Sequence, residues 1–242
     1  MKLMRPPSRV KNSAFQHQVS IGLAALWISI ASLFVGCERQ KPISVTDVSE
    51  QMCTCFRARK AGDIDARLTP CVDSLINARR AEIAQLHVQQ PDSVALRAFL
   101  AQVTQHMVLS CDAFGSELST MYDNFYPRDT SRANLAGIQL LAGELSNAPT
   151  PYSTKKLLHE LIRWSMKVRL LDQGLRYCTQ LKKVDPNEVG AYFASGYAYT
   201  QQAKYDLALA EVERAMSIHN ETDMALFLAL IKRRQAKSKG PR

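Results

Sequence analysis

Residues 189–222 read VGAYFASGYAYTQQAKYDLALAEVERAMSIHNET. Small residues at Gly196, Ala208 and Ala215 let two helices approach closely, while Tyr192, Tyr199 and Tyr205 fill the layer between them. The preceding block, Lys155–Glu188, repeats the pattern at a period of 34 residues, a spacing typical of helical repeats. There Leu158, Leu161 and Gly174 hold the corresponding places, and Asp185-Pro186-Asn187 makes the link. Ile162 stands opposite Gly196 in register and Leu181 opposite Ala215, so the earlier copy is the less regular one. After Thr222, Met224–Ile231 starts one more helix, which grades into a basic tail as a capping helix would. A bland amphipathic hairpin is the competing reading.

The block Val189–Thr222 resembles a tetratricopeptide repeat (TPR). Tyr192 stands where the motif has Trp, Gly196 at its Gly, Tyr199 at its Tyr and Tyr205 at its second aromatic. Ala208 and Ala215 stand at its small positions, and Asn220 replaces its terminal Pro. The resemblance implies a short α-solenoid whose concave groove presents Lys156, His159, Arg163 and Lys167 from one helix and Phe193, Tyr197, Thr200 and Gln201 from the next. A basic strip beside an aromatic shelf suits an extended protein or peptide partner with acidic or C-terminal carboxylate groups, or an anionic polymer. A solvated basic face is the plain alternative. The Lys/Asn clamp of chaperone-binding repeats is not reproduced, because His159 and Arg163 replace it. Two blocks are fewer than a solenoid needs, so the helix Arg132–Leu145 and the terminal helix must supply the missing neighbours.

Upstream, Ser44-Val45-Thr46-Asp47 has the form of a capping box. Val45, Val48, Met52 and Phe56 follow at helical spacing until Gly62-Asp63. Leu68 to Leu86 predicts a second helix ending at Gln89-Gln90-Pro91, and Leu96 to Phe125 a continuous third helix stopped by Pro127. Four cysteines lie here, Cys53, Cys55, Cys71 and Cys111, an even set suited to a disulfide framework in a small exported domain. Residues two apart on a helix point roughly 200° apart, so Cys53 and Cys55 cannot easily share a partner. Folding the first helix back through a turn near Asp63 brings Cys55 level with Cys71 and leaves Cys53 for Cys111. The competing readings are a thiol–disulfide exchange pair at Cys53 and Cys55 and a zinc site recruiting His87 or His106, although paired zinc-ligand spacing is absent. The cysteine pattern also loosely resembles uncharacterised exported proteins of the Bacteroidetes, which implies no activity. Cys178, alone in the repeat region, reads as a packed thiol.

At the amino terminus a basic stretch, residues 1–18, precedes the apolar run Val19–Val35, then Gly36 and Cys37. The string SLFVGC resembles a bacterial lipobox, with Phe34 departing from the usual Leu. The resemblance implies removal of residues 1–36 and attachment of diacylglycerol to Cys37. Glu38 in place of a retention Asp leans toward the outer membrane, facing the periplasm. An uncleaved membrane anchor is the alternative.

The chain has 242 residues and a formal charge of +9. Four basic residues precede any acid and six lie in Lys232–Arg242, so the intervening body is nearly neutral. Nucleic-acid binding, which needs a basic face on the fold itself, is therefore not expected. No Gly-rich phosphate loop, dinucleotide fingerprint or nucleophile elbow occurs. His159-Glu160 begins like a zinc-protease motif but meets Arg163 where the second His belongs. Glu211 and Glu213, two apart, read as a solvated face.

The expectation is an all-α protein: a disulfide-stapled three-helix bundle followed by a short TPR-like α-solenoid. The expected parts are a signal peptide (1–36), a lipid-anchored linker (37–43), a cysteine-bearing bundle (44–126), a connecting helix and Pro-rich linker (127–154), repeats with a capping helix (155–236) and a basic tail (237–242). The expected role is a non-enzymatic, cofactor-free binding scaffold of the bacterial cell envelope. An envelope exchange protein using Cys53 and Cys55, or an outer-membrane assembly-type lipoprotein, are the alternatives.

Overall fold

Ser44 accepts the Asp47 N–H at 3.4 Å and so starts the first helix, α1 (Val45–Ala58). Gly62, in the left-handed region at φ +97°, reverses the chain, and Asp63 caps α2 (Ile64–Ala78) by accepting from Ala66 N at 2.8 Å. Then follow α3 (Arg80–Gln85), α4 (Asp92–Ser110), α5 (Asp112–Asp123), α6 (Arg132–Ser146), α7 (Pro151–Lys167), α8 (Leu171–Val184), α9 (Val189–Gln201), α10 (Tyr205–Ile218) and α11 (Thr222–Ser238). The computed structural model describes residues 43–85, 92–148, 150–219 and 221–240. Among the described residues there is no strand, and no helix is long and apolar enough to cross a membrane. The expected targeting segment, Cys37, His87 and the expected 89–91 helix end lie outside the described residues.

Two disulfides staple the first part. Cys53 of α1 is joined to Cys111, with Cα atoms 5.7 Å apart, and Cys55 to Cys71 of α2, at 5.8 Å. Around them Val48, Met52, Phe56, Val103, Met107, Phe114 and Leu118 are fully buried, Phe56 and Phe114 meeting edge to face. Burying each such side chain contributes about 1.5–3 kcal/mol. Arg67 is buried here too: its guanidinium lies 3.9 Å from the Phe56 ring centroid, donates to Phe56 O at 3.0 Å and pairs with Glu117.

Two expected helices are shorter than the apolar spacing suggests. The second breaks at Arg79, where α3 begins. The third, expected to run unbroken from Leu96 to Phe125, breaks at Cys111, whose backbone is extended (φ −98°, ψ 104°). The disulfide holds Cys111 to α1, and Arg233 of α11 seals the break. It donates to Val108 O at 2.9 Å and Leu109 O at 3.2 Å while pairing with Asp112. Spacing alone misses the break because the apolar stripe continues on both sides of it.

The second part recurs in its backbone. Helix α8 spans Leu171–Val184 and α10 spans Tyr205–Ile218, 34 residues on, the period of two-helix repeats. The turn residues Arg169 and Ala203 share that offset and are the described non-glycine residues with positive φ, 64° and 56°. Their closing hydrogen bonds match as well, Leu170 N to Ser165 O and Lys204 N to Tyr199 O, both 2.9 Å. At the contact of α9 with α10, a Cβ on Gly196 would sit 2.6 Å from Val212 Cγ2, which explains the glycine.

The two parts pack into one compact unit. Ile43–Arg242 forms one unit, because α11 packs on α10 from one side and on α4 and α5 from the other. Instead of a polar outer face, α11 buries Met224, Phe227, Leu230, Ile231 and Arg233.

Candidate functional site

The expected groove divides into a half that is filled and a half that stays open. On α9, Tyr197 and Thr200 are buried. Phe193 packs between Phe125 and Phe227, with ring centroids 5.1 Å from each, and Tyr126 packs edge-on against Tyr197 at 4.9 Å. Tyr197 Oη donates to Asp123 O at 3.3 Å, Thr200 Oγ1 donates to Gly196 O at 2.7 Å, and Gln201 Nε2 donates to Asp123 Oδ1 at 2.8 Å. Arg169 also donates to Asp123 O, at 3.2 Å, and Arg234 pairs with its carboxylate at 2.9 Å. The aromatic shelf is therefore an internal joint: the end of α5 and the Phe125-Tyr126 segment occupy the surface that a peptide was expected to take. Aromatic side chains bury large areas, so whichever neighbour the chain supplies will cover them.

On α7, Lys156 is exposed and makes no ion pair among the described residues. His159 Nε2 lies 3.5 Å from Glu188, and Arg163 pairs with Glu160 along the helix. Lys155, just off the stripe, holds Asp185 at 2.8 Å and Glu188 at 2.5 Å, tying α7 to the α8–α9 link. That ammonium is the main cause holding the Asp185 carboxyl below its ordinary range. For Glu188, burial raises the carboxyl, but Lys155, His159 and the Gly190 N–H outweigh it. Lys167 is half-buried beside Asp129, whose carboxyl is lowered mostly by hydrogen bonds from Ser131 and Asn134. The strip is thus basic with interleaved acids.

Next to this strip lies a cleft that the motif reading missed. It runs between α6 and α7 as an open groove of about 650 Å³, lined by Gln139, Leu140, Gly143, Glu144, Ser153 and Leu157, among others. Leu140 is 66% exposed, and Tyr152, next to Ser153, is 80% exposed. The adjacent pair Leu140-Leu141 was the available signal. Neighbouring helix positions point about 100° apart, so only one of the two can face the core.

The remaining reactive groups are enclosed or spread apart. Lys182 Nζ lies 2.9 Å from Ser195 Oγ, 2.5 Å from Glu211 and 4.5 Å from the Tyr192 ring centroid. Ser195 is buried, so this Ser–Lys contact lies in the packing between helices and not in a cleft. Glu211, read as part of a solvated face, is instead bound into this network. Cys178 beside it is buried and unpaired; burial pushes its thiol up to about 11, against Ser195 and Lys182, which lower it. Cys53 and Cys55 are bonded to Cys111 and Cys71 respectively and not to each other. Among the described residues, no three His, Cys, Asp or Glu side chains gather as a metal site would need.

No family model, no curated protein and no solved structure matches the chain.

Proposed function

We propose that this protein is a lipid-anchored, non-enzymatic scaffold of the bacterial cell envelope that binds an extended peptide segment of a partner protein through TPR-like hairpins. The observation that carries the reading is the 34-residue recurrence of helix, left-handed turn and closing hydrogen bond across α7–α10. Such stacks serve as binding surfaces. The surface we assign to a partner is the α6–α7 cleft with its flanking strip. Leu140, Leu157 and Tyr152 offer apolar contact, and Lys156 with Arg163 offers positive charge for an acidic residue or a terminal carboxylate.

A crosslinked pull-down from envelope preparations tests this, comparing the intact chain with Lys156→Glu/Arg163→Glu and with Leu140→Glu. All three positions are exposed, and such changes usually alter stability by ~0.5 kcal/mol or less. Both variants should lose the captured partner. Unchanged capture by both variants would refute the cleft as the binding surface.

A further inference from the structure

We propose that the face formed by Val45, Leu109, Leu228 and Lys232 rests on a phospholipid bilayer. This inference rests on the lipid-anchored reading above and adds which side of the fold meets the membrane. Five residues, 38–42, separate Cys37 from Ile43, and Ile43 already packs against the core. Six chain steps of about 3.5 Å reach at most ~21 Å. The headgroup layer, roughly 5–8 Å deep, consumes part of that reach. An anchor on so short a tether keeps the surface around the start of α1 close to the lipid.

That surface suits lipid. Val45 borders a shallow cavity between α4 and α11, lined also by Gln105, His106, Leu109, Leu228 and Lys232, with no carboxylate among its lining residues. Leu109 is 50% exposed although it lies two residues from the buried Cys111. Lys232 is exposed beside it, able to reach lipid phosphates while its methylenes lie along the apolar surface. The solvent side of α1 instead exposes Asp47 and Glu50, which phosphates would repel. A bilayer therefore meets leucines and lysine on one flank of α1 and carboxylates on the other.

The test uses the full mature protein reconstituted into phosphatidylethanolamine–phosphatidylglycerol vesicles, with and without brominated acyl chains. Trp27 lies within the segment expected to be removed, which leaves Trp164 of α7 as a built-in reference. Leu109→Trp and Lys232→Trp, each in a Trp164→Phe background, place a probe on the proposed face. Both sites are exposed, and circular dichroism with non-reducing electrophoresis verifies folding. The expected result is loss of probe emission on brominated vesicles at both positions, with Trp164 of the parent protein unaffected. The mass of the N-terminal peptide is read from the same sample. Diacylglycerol on Cys37 with unquenched probes overturns the face while the anchor stands. An unmodified Cys37 overturns the anchor, and the proposal falls with it.

Discussion

Arg233 shows how one side chain can decide an architecture. A Cβ on Gly115 would lie 2.7 Å from its Cζ and 2.8 Å from Val108 O, so glycine is required where the guanidinium passes. Gly115→Ala should destabilise by about 1–3 kcal/mol through overpacking, and Arg233→Met by a similar ~1–3 kcal/mol because two carbonyls lose their donor. Part of the Gly115 conflict is with Arg233 itself, so the double variant should cost less than the sum. Urea titration of the four proteins checks this, and strict additivity would separate the two residues. Cys178 is a quieter case. Buried and held protonated, it should resist alkylation in the folded protein at neutral pH and react only on unfolding, as mass spectrometry of iodoacetamide-treated samples would reveal.

Among elements, the two staples differ in the length of chain they close. The Cys53–Cys111 bridge spans 58 residues and Cys55–Cys71 spans 16. Chain-entropy scaling gives roughly 4 and 3 kcal/mol respectively. Cys53→Ala/Cys111→Ala should therefore lower the denaturation midpoint more than Cys55→Ala/Cys71→Ala. Equal losses would mean that the denatured chain is already compact across the longer loop, which removes its extra entropy. Helix α9 yields the opposite lesson: Phe193 and Tyr197 were read as binding residues, yet they join α9 to the end of α5. Phe193→Ala should cost stability, by about 1–3 kcal/mol for a half-buried ring, and leave partner capture per folded molecule unchanged.

For the whole molecule, pH acts at both ends of the scale. Burial holds Tyr122 and Tyr126 protonated well above their ordinary range and raises Cys178 from 9.0 to about 11. Between those two thiol values the folded state keeps a proton that the unfolded chain has lost, so stability falls as pH rises from 9 toward 11. Cys178→Ala should make that decline shallower. In acid the sign reverses: Asp112, Asp129, Asp185 and Glu188 titrate below their ordinary values, so stability present above about pH 4.5 is lost as pH falls through the carboxylate range. Thermal melts across pH 2–11 check both limbs. Disruption of the α11 joint should loosen both parts together, because Ile43–Arg242 is one unit.

Local patterns were legible where the physics is local. The Gly196, Ala208 and Ala215 spacing, the Ser44 cap and the Asp63 turn each depend on residues within a few helical turns, and the chain alone carried them. The pairing of Cys55 with Cys71 across one short turn is of the same kind. The α11 joint was not legible. Arg233 reaches carbonyls 125 and 124 residues away, and from the sequence it looked like part of a basic tail. Nor could spacing tell whether Phe193 and Tyr197 face a partner or their own chain, since an aromatic stripe buries itself against either. Long-range packing decides between them: α11 lies against α4 and α5, the end of α5 covers α9, and an open cleft is left between α6 and α7. Residues close in the chain thus carry most helix positions and the 34-residue recurrence, whereas the break at Cys111 and the choice of which helix faces stay free come from long-range packing, because burial depends on which distant segment arrives to cover them.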